Sequence, residues 1–169
     1  MLSKRKGFTL IELLVVMAIL AILSTVAFGQ YRISQLKARD AQRKGDIGNI
    51  ARGLEMYYND NQAYPLSDAA GRMSVSQSGS LTALDWGSEF ATDEVIYMKV
   101  LPRDPTASGG NLNYCYQSDG DGSYYKIFVK LENDQDKDFD FNRTPAVDYS
   151  CLGDSDYNYG ISSVNVTVE

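Results

Sequence analysis

The chain has 169 residues, a formal charge of −6, no histidine and two cysteines, which suits one modest domain plus an accessory element. That charge excludes nucleic-acid binding through a broadly basic surface, and two thiols without histidine exclude an ordinary structural zinc site. No serine or cysteine sits near a candidate base and no glycine motif suits a phosphate, so an enzyme is not expected and no cofactor is required.

In chain order, Met1–Gly7 comes first and carries Lys4, Arg5 and Lys6. Phe8 to Phe28 follows as an apolar run whose only charged residue is Glu12. As a helix that run is about 32 Å long, enough to cross a bilayer. It is about twice the length of a signal-peptide core, and no small-x-small cleavage site follows it cleanly. An isolated carboxylate inside a membrane helix is costly. Glu12 either snorkels to the headgroups or pairs with a cation, and a new amino terminus just ahead of Phe8 would supply one.

The segment Lys6-Gly7-Phe8-Thr9-Leu10-Ile11-Glu12 resembles the processing site of type IV prepilins and type II secretion pseudoprepilins. The resemblance implies that a prepilin peptidase cuts after Gly7 and methylates the amine of Phe8. It also implies that Glu12 pairs with the Phe8 amine of a neighbouring subunit, setting the register of a helical homopolymer. A basic leader favours a cytoplasmic start. The resemblance places the remainder outside the cytoplasmic (inner) membrane, as a single-pass subunit that a filament assembly platform then extracts into a cell-surface or periplasmic filament.

Beyond the membrane edge, Ile33, Leu36, Ile47, Ile50, Leu54 and Tyr57 or Tyr58 recur at helical steps. Asn59-Asp60-Asn61 followed by Pro65 reads as a stop. One helix of about 54 residues is expected, apolar all round first and amphipathic afterwards. Gly29 and Gly45 are weak points of this helix, each costing roughly 1 kcal/mol relative to Ala; the alternative is that Gly45 and Gly48 are close-packing points against the head. The basic cluster Arg32, Lys37, Arg39, Arg43 and Lys44, with Asp40 among them, suits lipid headgroups or acidic neighbours better than nucleic acid.

After Pro65 the chain reads as exposed loop through Gly71 and Gly79. A short helix and a strand are expected within 81–86 and 89–100. Strands 113–118 and 124–131 flank Asp119-Gly-Asp-Gly-Ser123, an antiparallel hairpin signal. Val164, Val166 and Val168 alternate with polar residues as in a half-buried strand. Tyr57-Tyr58, Tyr64-Pro65 and the Tyr97–Pro105 segment also resemble pilin-like proteins, the last of these the major pseudopilins. The fold implied is α+β and pilin-like: one long helix across a small antiparallel sheet. The expected divisions are a leader 1–7, a membrane-crossing and polymerising half-helix 8–28, an amphipathic half-helix 29–62 and a β-rich head 63–169.

Cys115 and Cys151 both fall in the exported part. A disulfide between them would contribute roughly 3–4 kcal/mol in the chain-entropy model; the alternative is two separate thiols. Asp134, Asp136, Asp138 and Asp140 alternate and are a candidate calcium set, although Phe139 and Pro145 occupy positions where an EF-hand needs Gly and Glu. A solvated acidic loop is the plainer reading. The tyrosines are expected to meet a sugar or peptide partner, or to coat lateral contacts in a filament. Three roles follow: a subunit of an extended pilus, the major pseudopilin of a type II secretion system, or a monomeric membrane-anchored surface binding domain.

Overall fold

Helix α1 (Leu10–Asn61, 52 residues) is the axis of the molecule and measures about 78 Å. The computed structural model describes residues 7–107, 114–138, 151 and 157–163. The helix stops where its sequence does: Gln62 turns left-handed at φ 58°, and its N–H donates to the Tyr58 carbonyl at 2.8 Å. Asn61 Nδ2 caps the Tyr57 carbonyl at 2.9 Å, satisfying another of the last-turn acceptors.

The two halves of α1 live in different surroundings. Every side chain from Leu10 to Thr25 is exposed. Lower down, Leu36, Asp40, Arg43, Ile47, Ile50, Leu54 and Tyr57 follow one another at alternating steps of four and three, which places them on one face. All but the half-buried Leu36 are buried. The predicted apolar stripe is therefore real from Ile47 onward, but two of its upper positions are charged. Ile33 is exposed.

The head carries β1 (Leu66–Ser67), β2 (Met73–Gln77), β3 (Ser80–Ala83), β4 (Phe90–Ala91), β5 (Ile96–Met98), β6 (Cys115–Ser118), β7 (Tyr125–Val129) and β8 (Tyr159–Ser162). They form three antiparallel sheets, β1-β2-β3, β4-β5 and β6-β7-β8. One core joins Ile47, Ile50, Leu54 and Tyr57 to Met73, Val75, Phe90, Leu101, Tyr116, Ile127 and Leu131. The expected hairpin is β6–β7, with Cys115 opposite Phe128 and Ser118 opposite Tyr125.

Other expectations are corrected. The stretch after Pro65 is not simply an exposed loop: it holds a three-stranded sheet with Met73, Ser74 and Val75 buried. Residues 81–100 form strands rather than a helix and a strand, because Thr92–Val95 closes a turn in which the Thr92 N–H donates to the Val95 carbonyl at 2.9 Å. Gly45 and Gly48 face open space, whereas a Cβ on Gly53 would stand 3.0 Å from Met98 Sδ. Gly53 is thus a point of close approach between β5 and the helix. Tyr57, Tyr64, Tyr97, Tyr114, Tyr116, Tyr125 and Tyr157 are buried, so most of the tyrosine content builds core rather than surface. The expected strand at Val164, Val166 and Val168 lies outside the described residues. Among the described residues the third sheet includes β8, whose Asn-Tyr-Gly-Ile surroundings carry no strand periodicity.

Candidate assembly site

The amino-terminal junction is built by Thr9. It stands just before α1 at φ −87° and ψ 151°, and its Oγ1 accepts from the Glu12 N–H at 3.3 Å. The Glu12 carboxylate accepts in return from the Thr9 N–H at 2.8 Å and from Thr9 Oγ1 at 2.7 Å. This reciprocal capping box satisfies two donors that a helix start leaves unpaired. Its Thr-x-x-Glu signature was available in the sequence at Thr9 and Glu12, and reading Glu12 as either a snorkelling carboxylate or half of an ion pair missed it. The predicted cleavage residues, Gly7 and Phe8, lie outside the helix in exposed backbone, the form in which a protease can take hold of a chain. Phe8 is 82% exposed and borders an open groove with Ile11, Glu12, Val15 and Val16. Leader residues 1–6 lie outside the described residues.

A second polar constellation fastens the helix to the head. Arg43 is only 2% exposed, and its Nε and Nη2 donate to the two Asp104 oxygens at 2.6 and 3.0 Å. Its Nη1 reaches Asp40 Oδ1 at 2.8 Å, and Nη2 meets Glu132 Oε1 at 2.6 Å. Asp40 also accepts the backbone N–H groups of Glu132 and Asn133. Arg39 holds Glu132 with both Nε and Nη2, at 2.9 and 2.5 Å. Burial alone would raise the Asp104 carboxyl, but Arg43 and Thr106 hold it below its ordinary value. Hydrogen bonding from Arg39 and then Arg43 holds Glu132 low as well, against its burial.

Lys44 completes this collar. Its Nζ lies 2.6 Å from Asp136 Oδ1 and 2.7 Å from Asp138 Oδ2, over the Tyr159 ring at 5.5 Å to the centroid. These are two of the four candidate calcium ligands. Asp134 is exposed, and Asp140 lies outside the described residues. Calcium takes six to eight oxygens, and the described geometry instead gives two carboxylates to an ammonium. Among the described residues no group of three or more His, Cys, Asp or Glu is placed to hold a metal ion. Of the predicted basic cluster, Arg39, Arg43 and Lys44 thus meet acidic neighbours in their own chain. Cys115 and Cys151 are bonded, with their Cα atoms 6.3 Å apart, and pack with Phe128 and Tyr157 in a small second core.

Comparison with known proteins bears on the junction first. The prokaryotic N-terminal methylation motif matches residues 2–28. The type II secretion system core protein G of Pseudomonas aeruginosa is 36% identical over 103 residues, covering 60% of this chain and 68% of that protein. Its counterpart in Vibrio cholerae is 32% identical over 128 residues, covering 76% of this chain and 81% of that protein. The type IV wide pilus major component PilA4 of Thermus thermophilus is 40% identical over 65 residues, 38% of this chain and 50% of its own length. No solved structure matches the chain.

Proposed function

Because the chain belongs to the type IV pilin and type II secretion pseudopilin family, we propose that it is the structural subunit of a pilus-like filament, cut after Gly7 and assembled through its N-terminal helix. One observation carries this reading: the apolar side chains of Leu10–Thr25 are all exposed, on a helix long and apolar enough to cross a membrane. Such a surface has to be covered by lipid or by other helices, since leaving it in water forfeits about 25 cal/mol for each Å² of apolar area. Before assembly the bilayer covers it, with the head outside; afterwards the same segments of neighbouring copies do, through close helix packing.

In this reading a membrane prepilin peptidase takes the non-helical Gly7–Phe8 junction and methylates the new amine. Glu12 keeps its place in the capping box and has lone pairs left for the Phe8 amine of the next subunit. That charge pair, formed in a low-dielectric surround, sets axial register because a displaced copy would leave both charges unpaired. The pseudopilus of a type II secretion system is the second reading, favoured by relatives named core protein G, of which this chain covers 68% and 81%.

The test is the intact mass of chain extracted from membranes or sheared filaments, in cells with an active prepilin peptidase. The expected mass is that of a chain starting at Phe8 with one added methyl group. A chain still carrying Met1–Gly7 would overturn the polymerising role. Glu12→Ala should be processed, keep its head fold and yield no filaments. Secretion lost together with the filaments would select the pseudopilus.

A further inference from the structure

We infer that Tyr31, Arg32 and Lys37 form an interfacial belt that binds anionic phospholipid headgroups and holds the unassembled subunit at a fixed depth in the bilayer; this rests on the membrane-anchored reading above. The collar divides the basic cluster in two. Arg39, Arg43 and Lys44 spend their charge on Glu132, Asp104, Asp40, Asp136 and Asp138. Arg32 and Lys37 are exposed and make no ion pair among the described residues.

Their height along the helix decides what they meet. Tyr31 and Arg32 lie about 4–6 Å beyond the end of the apolar run at Phe28, at about 1.5 Å per residue, within the headgroup layer of about 5–8 Å that flanks a hydrocarbon core of about 30 Å. Lys37 lies about a turn and a half above them, within reach of the layer's outer edge through its long side chain. Long cationic side chains there can turn toward lipid phosphates. Tyr31 is 64% exposed and Ile33 44% exposed, so aromatic and aliphatic surface is interleaved with the two cations, continuous with the span. That mixture is what an interface between apolar chains and charged headgroups accommodates. An acidic face on a second copy would answer the cations alone and leave Tyr31 and Ile33 in water. Packing against the head begins only at Leu36 and Asp40, so nothing in the described fold covers the belt.

The experiment uses the unassembled processed chain, helix and head together, in phosphatidylcholine bilayers containing traces of spin-labelled lipid. Electron spin resonance then compares how strongly spin-labelled phosphatidylglycerol and spin-labelled phosphatidylcholine are held at the protein. At low salt the wild type should prefer phosphatidylglycerol. Arg32→Gln and Lys37→Gln should each weaken that preference about fivefold, and high salt should erase it. Trp86 fluorescence should show unchanged head unfolding in both variants. A wild type without preference, or a double variant that keeps it, overturns the proposal. If the double variant keeps the preference but loses cross-links between copies in filaments, the partner is an acidic face of a neighbouring subunit, which also overturns it. Filament formation is not needed for the lipid measurement, so failure of the assembly reading and failure of this one are distinguishable.

Discussion

Arg43 sits 2% exposed with three carboxylates around its guanidinium, a position where the two halves of an ion pair cannot be judged separately. Arg43→Met should destabilise the head by about 3 kcal/mol, the lower end for a broken buried pair. The lower end applies because Asp40 keeps two backbone N–H donors and Asp104 keeps Thr106. Adding Asp104→Asn to Arg43→Met should recover part of that loss, since it removes one of the stranded charges. Urea unfolding followed by Trp86 fluorescence checks both, and equal midpoints for the single and double variants would contradict the account. At this scale Glu12 stood out in the sequence because a lone carboxylate in an apolar run demands a reason. Asp40 and Arg43 stood out only as members of a basic cluster suited to lipid headgroups or acidic neighbours, and nothing in the sequence marked them as buried. Their partners at 104 and 132 are far away in the chain, and no local pattern announces them.

Among the elements, α1 was the most legible: its length, its stop and the Ile47–Tyr57 face all follow from periodicity and capping chemistry. The β6–β7 hairpin was equally readable, since its turn residues demand it. The sheets between 66 and 100 were not, because their strands are two to five residues long, too short for alternation to register, and those of the first sheet are rich in serine and threonine. Glycines divide the same way. Gly122, in the β6–β7 turn, has φ +67°, and a Cβ there would collide with the Tyr64 carbonyl oxygen. Gly122→Ala should therefore cost about 1–3 kcal/mol. Gly45 lies in mid-helix, and a methyl group added there would meet nothing within 4 Å, so Gly45→Ala should stabilise by about 0.5–1 kcal/mol. Opposite shifts of the two urea midpoints are the expected result, and a loss at Gly45 would mean that its position is not open.

For the whole molecule, the collar and the tyrosine-rich core confine stability to a pH window. Asp104, Glu132 and Asp136 are held below their ordinary values. In acid the unfolded chain therefore binds more protons than the folded one, and stability falls as the pH is lowered. Their contribution is complete above the unfolded values of roughly 4 and disappears as pH drops through the lower folded ones. At the alkaline end the signs reverse. Burial would lower Lys44, but its bonds to Asp136 and Asp138 raise it, and burial followed by Glu55 pushes Tyr64 up to about 12. Their contributions are complete below the unfolded values of about 10 and are lost as pH rises through the higher folded ones. Thermal unfolding should be flat between roughly pH 5 and 9 and fall on both sides; a steady decline across neutrality would contradict this. The arrangement along α1 also has a mechanical meaning. Contacts from Asp40 to Tyr57 run beside the helix axis over about 26 Å, and the Arg39, Arg43 and Lys44 pairs cross it as transverse rungs. A pull on the anchored end loads these rungs together in shear instead of peeling them one by one, so the subunit suits a fibre under tension.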